Sequence, residues 1–432
     1  MRVRADVAIV GSGAGGATLA KELARGGKKV LILERGKFVR NIGTFRTAAM
    51  DMYDHCALRT SKEGVTIYRA LMVGGTTVIS CGNGLRVLEP ELAELGIRME
   101  KEFEETEREL KIQKLREDLI GPGSRLIMDA ANRLGHDMEA MPKYVDPDKC
   151  NSCGKCILGC SRGAKWSSSR FVGDARKNGA TLFTDTDVRS IVIHKGRAVG
   201  LVARKENKTL KIFADKIVVS AGGLGTPVIL RRSGILEAGN KLFADMFNVT
   251  YGIIRDDGIN LWKEPTMAVV STKYYKDKGF ILSPFIDIPL VLRWVMSKRK
   301  QLRGFRYENL IGIMAKTRDD SSGKVTEDEK FEKILTGPDK RRLEEGAKIS
   351  EKILREAGVR KKDVIFTKPR GAHPGGSAAI GEVVDKDLMT RIKDLYICDA
   401  SVLPVSPGAP PIVTIVALAK RLSKHLLRDW DV

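Results

Sequence analysis

Residues 6–16 read DVAIVGSGAGG, and residues 17–27 continue ATLAKELARGG. The run before Gly11 is short, apolar and rich in Val and Ile, which suits a strand buried in a parallel sheet. G-x-G-x-x-G then falls at the turn into a helix, on Gly11, Gly13 and Gly16. Gly11 permits the tight turn. Gly13, with Ala14 behind it, lets the backbone approach a pyrophosphate, and Gly16 lets helix and strand pack closely. The helix N-terminus then faces the phosphates. The next apolar run, KVLILERG at 29–36, ends in Glu34 and Arg35. Glu34 is placed to accept from a ribose hydroxyl, and its charge disfavours a 2′-phosphate, so NADP is not expected. Strand, turn, helix, strand and acid predict an α/β, Rossmann-like dinucleotide unit, and the motif alone does not choose the dinucleotide.

The chain around this unit has 432 residues, enough for two or three domains at roughly 150 residues each. A chain this long needs no disulfide staples. Hydrophobic residues make up 43% and charged residues 30%, which excludes wholesale disorder. The formal net charge of +21 implies an anionic partner: nucleic acid, an acidic protein, an anionic membrane surface or a phosphorylated substrate. Aromatic residues are only 6% and do not interleave with Lys and Arg, so nucleic acid is not expected. The N-terminus lacks the features of a signal peptide, and no run of 18 apolar residues occurs. The nearest candidate, 279–296, is broken by Pro284, Asp287, Pro289 and Arg293, and a basic run from Lys298 to Arg306 follows. A core strand with a solvated basic loop is expected there, with peripheral membrane contact as the alternative.

Residues 89–119 are charge-rich and predict a solvated amphipathic helix with Leu95, Met99, Phe103 and Leu110 inward. Gly121-Pro122-Gly123 ends it, and a second helix runs to Gly135. Short β-like runs fill 181–220. Helices are expected over 337–357 and from Pro411 to Leu427.

Cys150, Cys153, Cys156 and Cys160 form C-x2-C-x2-C-x3-C, the spacing of bacterial ferredoxin-type clusters. A 4Fe–4S centre is expected, with structural zinc as the alternative; zinc more often draws two separated Cys pairs. In two-cluster proteins the fourth Cys of such a run serves the other cluster, so Cys56, Cys81 or Cys398 competes with Cys160 for the last place. Clustered thiols favour a reducing compartment, hence the cytoplasm.

Three further stretches carry a resemblance. Residues 69–83 read RALMVGGTTVISCGN, residues 220–235 SAGGLGTPVILRRSGI and residues 372–381 AHPGGSAAIG, with LYICDASVLPVSPGAPPIVTIVALAKR at 395–421. In this order they resemble the glucose–methanol–choline (GMC) oxidoreductases. The resemblance implies FAD rather than NAD. It also implies an FAD-binding domain made from residues 1–90, 171–240 and 366–432, with a mixed-sheet substrate domain at 241–365. Residues 91–140 would be a helical segment and 141–170 the iron–sulfur loop. By the same resemblance Gly74, Gly75 and Thr76 are a second phosphate and flavin contact, and Val188 is the adenine-side contact. Ala221, Gly222, Asp399, Ala400, Pro411 and Ile412 complete the cofactor site.

His373, in a motif like the H-P-x-G-G of the family, is the expected catalytic base. Imidazole suits removal of a hydroxyl proton because its ordinary pKa lies near neutrality. Pro410 stands where the family has a second His or Asn, so the alcohol-binding pair is incomplete. The implied substrate is a small hydroxylated or lipid-like molecule. Flavin beside an iron–sulfur centre would pass electrons on singly, and an acidic, ferredoxin-like carrier would be drawn to a +21 chain. A reductase or desaturase, or a quinone-linked enzyme at the membrane, is the alternative.

Overall fold

The computed structural model describes residues 2–54, 59–256, 258–288, 291–292 and 309–430. In chain order, β1 (Arg2–Val10), α1 (Ala14–Arg25) and β2 (Val30–Leu33) open the fold. Then come α2 (Glu100–Leu110), α3 (Pro122–Arg133), β3 (Met138–Ala140), α4 (Ser169–Lys177) and β4 (Thr181–Phe183). β5 (Thr186–His194), β6 (Arg197–Lys205), β7 (Lys208–Val219), α5 (Gly222–Arg232) and β8 (Phe247–Ile253) follow. Next are β9 (Val269–Ser271), β10 (Phe280–Pro284), β11 (Leu310–Thr317) and α6 (Gly337–Glu356). β12 (Val364–Phe366), β13 (Leu395–Ile397) and α7 (Ile412–Trp430) close the series.

The first sheet runs β4-β2-β1-β7-β6-β5, with β13 also on β7. Its strands come from early, middle and late parts of the chain. β1, β2, β7 and β13 are parallel, and Val10 lies level with Leu33 and Val219, itself beside Ile397. Their carboxyl ends thus share one edge, where ligands of open α/β sheets bind. α1 packs its apolar face, with Leu19, Ala20 and Leu23 fully buried, against this sheet, α4 and α7. Lys21, also fully buried, pairs with Glu22 and Glu109, and Lys420 bonds the same two carboxylates, so one charge network ties α1, α2 and α7.

The second sheet, β12-β8-β11-β10-β9-β3, is antiparallel. β11 is buried at every position because α6 covers it and the central cavity takes the other side. Residues 280–284, inside the stretch read as core strand or membrane contact, are an inner strand of this sheet. Pro289, Arg293 and the basic run from Lys298 to Arg306 lie outside the described residues. No described helix is long and apolar enough to cross a membrane.

Three expectations change. The single helix over 89–119 is broken by Gly96, whose φ of +77° is the left-handed stop of a first short helix, Glu89–Glu94. Leu95, expected inward, is 38% exposed at that break, whereas Met99, Phe103 and Leu110 are buried. Gly121-Pro122-Gly123 starts α3 rather than merely ending its predecessor, since proline suits the first helical position. Residues 138–140, assigned to a helical segment, are a strand of the second sheet.

Candidate active site

A cavity opens at the carboxyl edge of β1, β2, β7 and β13 and extends under the second sheet. Gly11 turns out of β1 with φ +96°, and a Cβ there would lie 2.2 Å from Ser220 O. A Cβ on Gly15 would lie 1.8 Å from Cys398 O, so α1 approaches the end of β13 as only glycine allows. The N-cap of α1 is Gly13, which has no side chain to occupy the free N–H groups. α5 and α7 also begin at this cavity, at Gly222 and Ile412. Three helix N-termini therefore bring partial positive charge to one space, a setting for an anionic ligand.

Of the expected cofactor residues, Gly11, Gly13, Ala14, Glu34, Arg35, Gly75, Thr76, Val188, Ala221, Gly222, Asp399, Ala400, Pro411 and Ile412 all line the cavity. Gly16 and Gly74 sit behind it. Gly16 packs against Gly11 O, and Gly74 N donates to Ser12 Oγ at 3.0 Å. Ser12 Oγ in turn donates to Glu34 Oε2 at 2.6 Å, as does Ser12 N at 2.9 Å, while Gly36 N donates to Oε1 at 2.8 Å. Glu34 thus locks the two glycine turns together and keeps one oxygen lone pair for a hydroxyl. Burial raises its pKa against the pull of these donors. Ser12 was not singled out from the sequence, although its place between Gly11 and Gly13 was the signal.

Asp399 is also bonded within the protein. Its Oδ2 accepts from Gly222 N at 2.8 Å and Thr226 Oγ1 at 2.6 Å, and its Oδ1 from Ser401 N at 2.7 Å. The carboxylate is turned to the start of α5 and satisfies its first N–H. Arg35 is held by Glu329 at 3.0 Å and Asp187 at 3.7 Å.

At the far end the lining is mostly apolar and aromatic, with Tyr53, Tyr68, Phe247, Phe285 and Met314 around His373 and with Asp287 and Lys316 as charged exceptions. Backbone N–H bonds from Ala372 and His373 to Ala244 O bring the HPGG turn beside Asp245. His373 Nδ1 lies 2.9 Å from Asp245 Oδ2. The fully buried carboxylate also accepts from Ser406 Oγ at 2.6 Å and Gly408 N at 2.8 Å. With Asp245 accepting a hydrogen bond from Nδ1–H, the neutral ring presents Nε2 as its free base nitrogen. Burial, then the nearby Lys316 ammonium, push the His373 pKa down against the pull of Asp245. Asp245 sits at φ +44°, a region an aspartate tolerates better than most residues and a common place for stored strain at functional sites. Pro410 lines the same end without a side-chain donor. Asp245 and Lys316 were missed from the sequence because neither stands in a motif.

The cysteine loop packs against this end through Ile157, whose carbonyl accepts from Tyr53 Oη at 2.8 Å. Cys153 is exposed, and Cys150, Cys156 and Cys160 are half-buried. Among the described residues no three His, Cys, Asp or Glu side chains are drawn together as ligands of a metal ion. Neither the expected iron–sulfur centre nor the zinc alternative therefore finds support in this geometry. Cys156 is wound into a short 3-10 turn, Cys156–Leu158, and Cys160 Sγ accepts from Lys165 N at 3.5 Å, so backbone bonds set the loop's shape. Cys56 lies outside the described residues, and Cys398 is buried at the end of β13.

Family models of GMC oxidoreductases match residues 9–246 with the N-terminal unit and 321–419 with the C-terminal one. The chain belongs to the GMC oxidoreductase family. It is 31% identical to an uncharacterised protein of Methanocaldococcus jannaschii over 98% of this chain and 100% of that one. A GMC-type oxidoreductase of Mycobacterium tuberculosis is 27% identical over 96% of this chain and 75% of its own. A long-chain-alcohol oxidase of Arabidopsis thaliana is 25% identical over 99% of this chain and 68% of its own. Among solved structures, formate oxidase of Aspergillus oryzae superposes with TM-score 0.78 at 16% identity, covering 99% of both chains. Pyridoxine 4-oxidase of Mesorbium loti does so with TM-score 0.75 at 16% identity, over 97% of this chain and 98% of that one. This GMC protein is thus a flavin-dependent oxidoreductase, with the FAD of its family as cofactor and CH–OH groups as donors. The α/β fold read from residues 6–36 is the fold found.

Proposed function

We propose that this enzyme oxidises the hydroxyl of an apolar, lipid-like alcohol, with His373 as the base. The observation that carries the reading is the His373–Asp245 pair at the apolar end of a cavity whose other end is built for an anion. The long-chain-alcohol oxidases of Arabidopsis thaliana and the cholesterol oxidase of Acinetobacter baumannii among its relatives agree with such a substrate. FAD fits the residues present. The open N-terminus at Gly13 and the starts of α5 and α7 would hold its pyrophosphate and ring, and Glu34 its ribose. When bound, FAD supplies the hydride acceptor for the carbinol carbon. The protein's part is to orient the alcohol among Tyr53, Tyr68 and Phe247, exclude water, and take the hydroxyl proton at His373 Nε2.

Electrons leave, on this reading, through a 4Fe–4S centre at Cys150, Cys153, Cys156 and Cys160 toward an acidic, ferredoxin-like carrier in the cytoplasm. The Cys spacing supports it, and so do two buried lysines beside the loop. Lys143 Nζ bonds Cys81 O at 3.0 Å, Asn83 Oδ1 at 2.7 Å and Thr266 O at 2.9 Å. Lys165 Nζ bonds Val78 O at 2.8 Å, Cys156 O at 2.9 Å and Ser80 O. Neither makes an ion pair among the described residues, and buried cations call for nearby negative charge, which thiolates of the loop would supply. Anaerobic bleaching of the flavin by a panel of alcohols tests the first part. Iron analysis of wild type and Cys153→Ser tests the second: iron should be present and then lost while flavin remains. Flavin without iron in the wild type would remove the relay.

A further inference from the structure

Lys316 lies in β11, level with Phe247 of β8 and Ile281 of β10. It is 2% exposed yet lines the cavity, together with His373 and Cys81. Its Nζ donates to Asp245 O at 3.2 Å and sits 5.0 Å from the centre of the Phe247 ring. The two carboxylates that act on its charge, Asp245 and Asp319, are engaged elsewhere. Asp319 pairs with Lys333 at 2.7 Å, and Asp245 holds His373, Ser406 and Gly408. Among the described residues Lys316 makes no ion pair. An ammonium has three N–H donors, and one goes to a carbonyl. A buried cation left in this state is costly unless a ligand brings the opposite charge. Pro410, which also lines the cavity, offers no side-chain hydrogen bond.

We propose that Lys316 is a second catalytic group, whose ammonium binds the substrate oxygen and holds the charge that develops there when His373 removes the proton. This rests on the alcohol reading above. In the step, the O–H bond breaks and its proton goes to His373 Nε2. The C–H bond breaks with its electron pair, which leaves as hydride to the bound FAD, and the oxygen pair left behind closes the carbonyl. Lys316 neither gains nor loses a proton. The arrangement also sets specificity. Neutral alcohols and anionic ligands are accepted, and alcohols bearing a cation near the hydroxyl are repelled.

The test uses the full FAD-loaded chain, as wild type, Lys316→Met and Lys316→Arg. Two quantities are read: anaerobic flavin bleaching by a medium-chain primary alcohol across pH, and benzoate affinity from the flavin absorbance change. The charged groups facing His373 are Asp245 and Lys316, with the Asp319–Lys333 pair behind Ser406. Lys316→Met should slow bleaching by about 100-fold, the order seen for losing one preorganised donor to an oxyanion. It should weaken benzoate at least tenfold, and it should move the acid limb of the rate to higher pH because a cation that disfavours protonated His373 is gone. Lys316→Arg should retain benzoate binding. A Lys316→Met enzyme with wild-type benzoate affinity and wild-type bleaching would overturn the proposal. If Lys316→Met fails to accumulate, Lys316→Gln answers the same question, and wild-type benzoate affinity and bleaching in it would overturn the proposal equally. If no alcohol bleaches even the wild type, the alcohol reading falls, and benzoate affinity alone decides whether Lys316 is an anion site.

Discussion

At one end of the cavity Gly11, Gly13 and Gly75 present bare backbone and helix N-termini; at the other, the buried Asp245 and Lys316 flank the His373 ring. The first end is fixed by close contact at Gly11 and Gly15, where carbonyl oxygens lie where Cβ atoms would stand. The second is fixed by hydrogen bonds that converge on one carboxylate. A backbone site fails as a whole when a contact is violated. A side-chain site fails by degrees, in rate and in pH response.

The sharpest break of the comparison is Gly15→Ala. Its methyl group would meet Cys398 O at 1.8 Å, and backbone cannot yield as a side chain can. A loss of about 3 kcal/mol, at the upper end for overpacking, is expected. Thermal unfolding and flavin content of the purified protein would read it; wild-type values of both would break the account of that end. Next is His373→Ala, which should keep FAD while alcohol-dependent bleaching drops by about 10³-fold, within the usual range for a lost general base. Unchanged turnover would remove its role.

Asp245→Asn should cost less, about tenfold in rate, since it disturbs the orientation of the base and not its presence. Its pH signature is more telling. Asp245 raises the His373 pKa, so its loss should carry the acid limb to lower pH, opposite to Lys316→Met. A shift in the same direction for both would break the electrostatic account. Smallest is Ser406→Ala, which removes its hydroxyl's bonds to the Asp245 and Asp319 carboxylates and from Asp319 N at a cost of about 1 kcal/mol and a few-fold in rate. A rate loss as large as that of His373→Ala would mean Ser406 touches substrate.

The same contrast explains what was legible in the sequence. Glycine at fixed spacing states a backbone requirement directly, so residues 6–16 disclosed the sheet edge and its ligand class, while residues 69–83 spoke only through the family resemblance. His373 was legible because it carries its own glycines. Asp245 was not, since nothing about FADMFN marks an aspartate that reaches a residue 128 positions later. Lys316 is the penultimate residue of a uniformly buried strand, where a lysine would ordinarily argue against burial. Leu95 was misread because a hydrophobic period gives no warning of a left-handed glycine directly after it. The cysteine run carries its chemistry in spacing alone, and spacing does not fix where side chains point.

One property of the first sheet bears on how the molecule comes into being. β7 must pair with β1, which precedes it by about 200 residues, and with β13, which follows it by about as many. A ribosome therefore releases the phosphate-binding turn early and its supporting strand at 395–397 very late. Non-local pairing of this kind folds slowly, and partly folded chains expose the unpaired edge of β7 in the meantime. Assembly of the full cofactor cradle thereby waits until the strand at 395–397 has been made, long after the phosphate-binding turn itself.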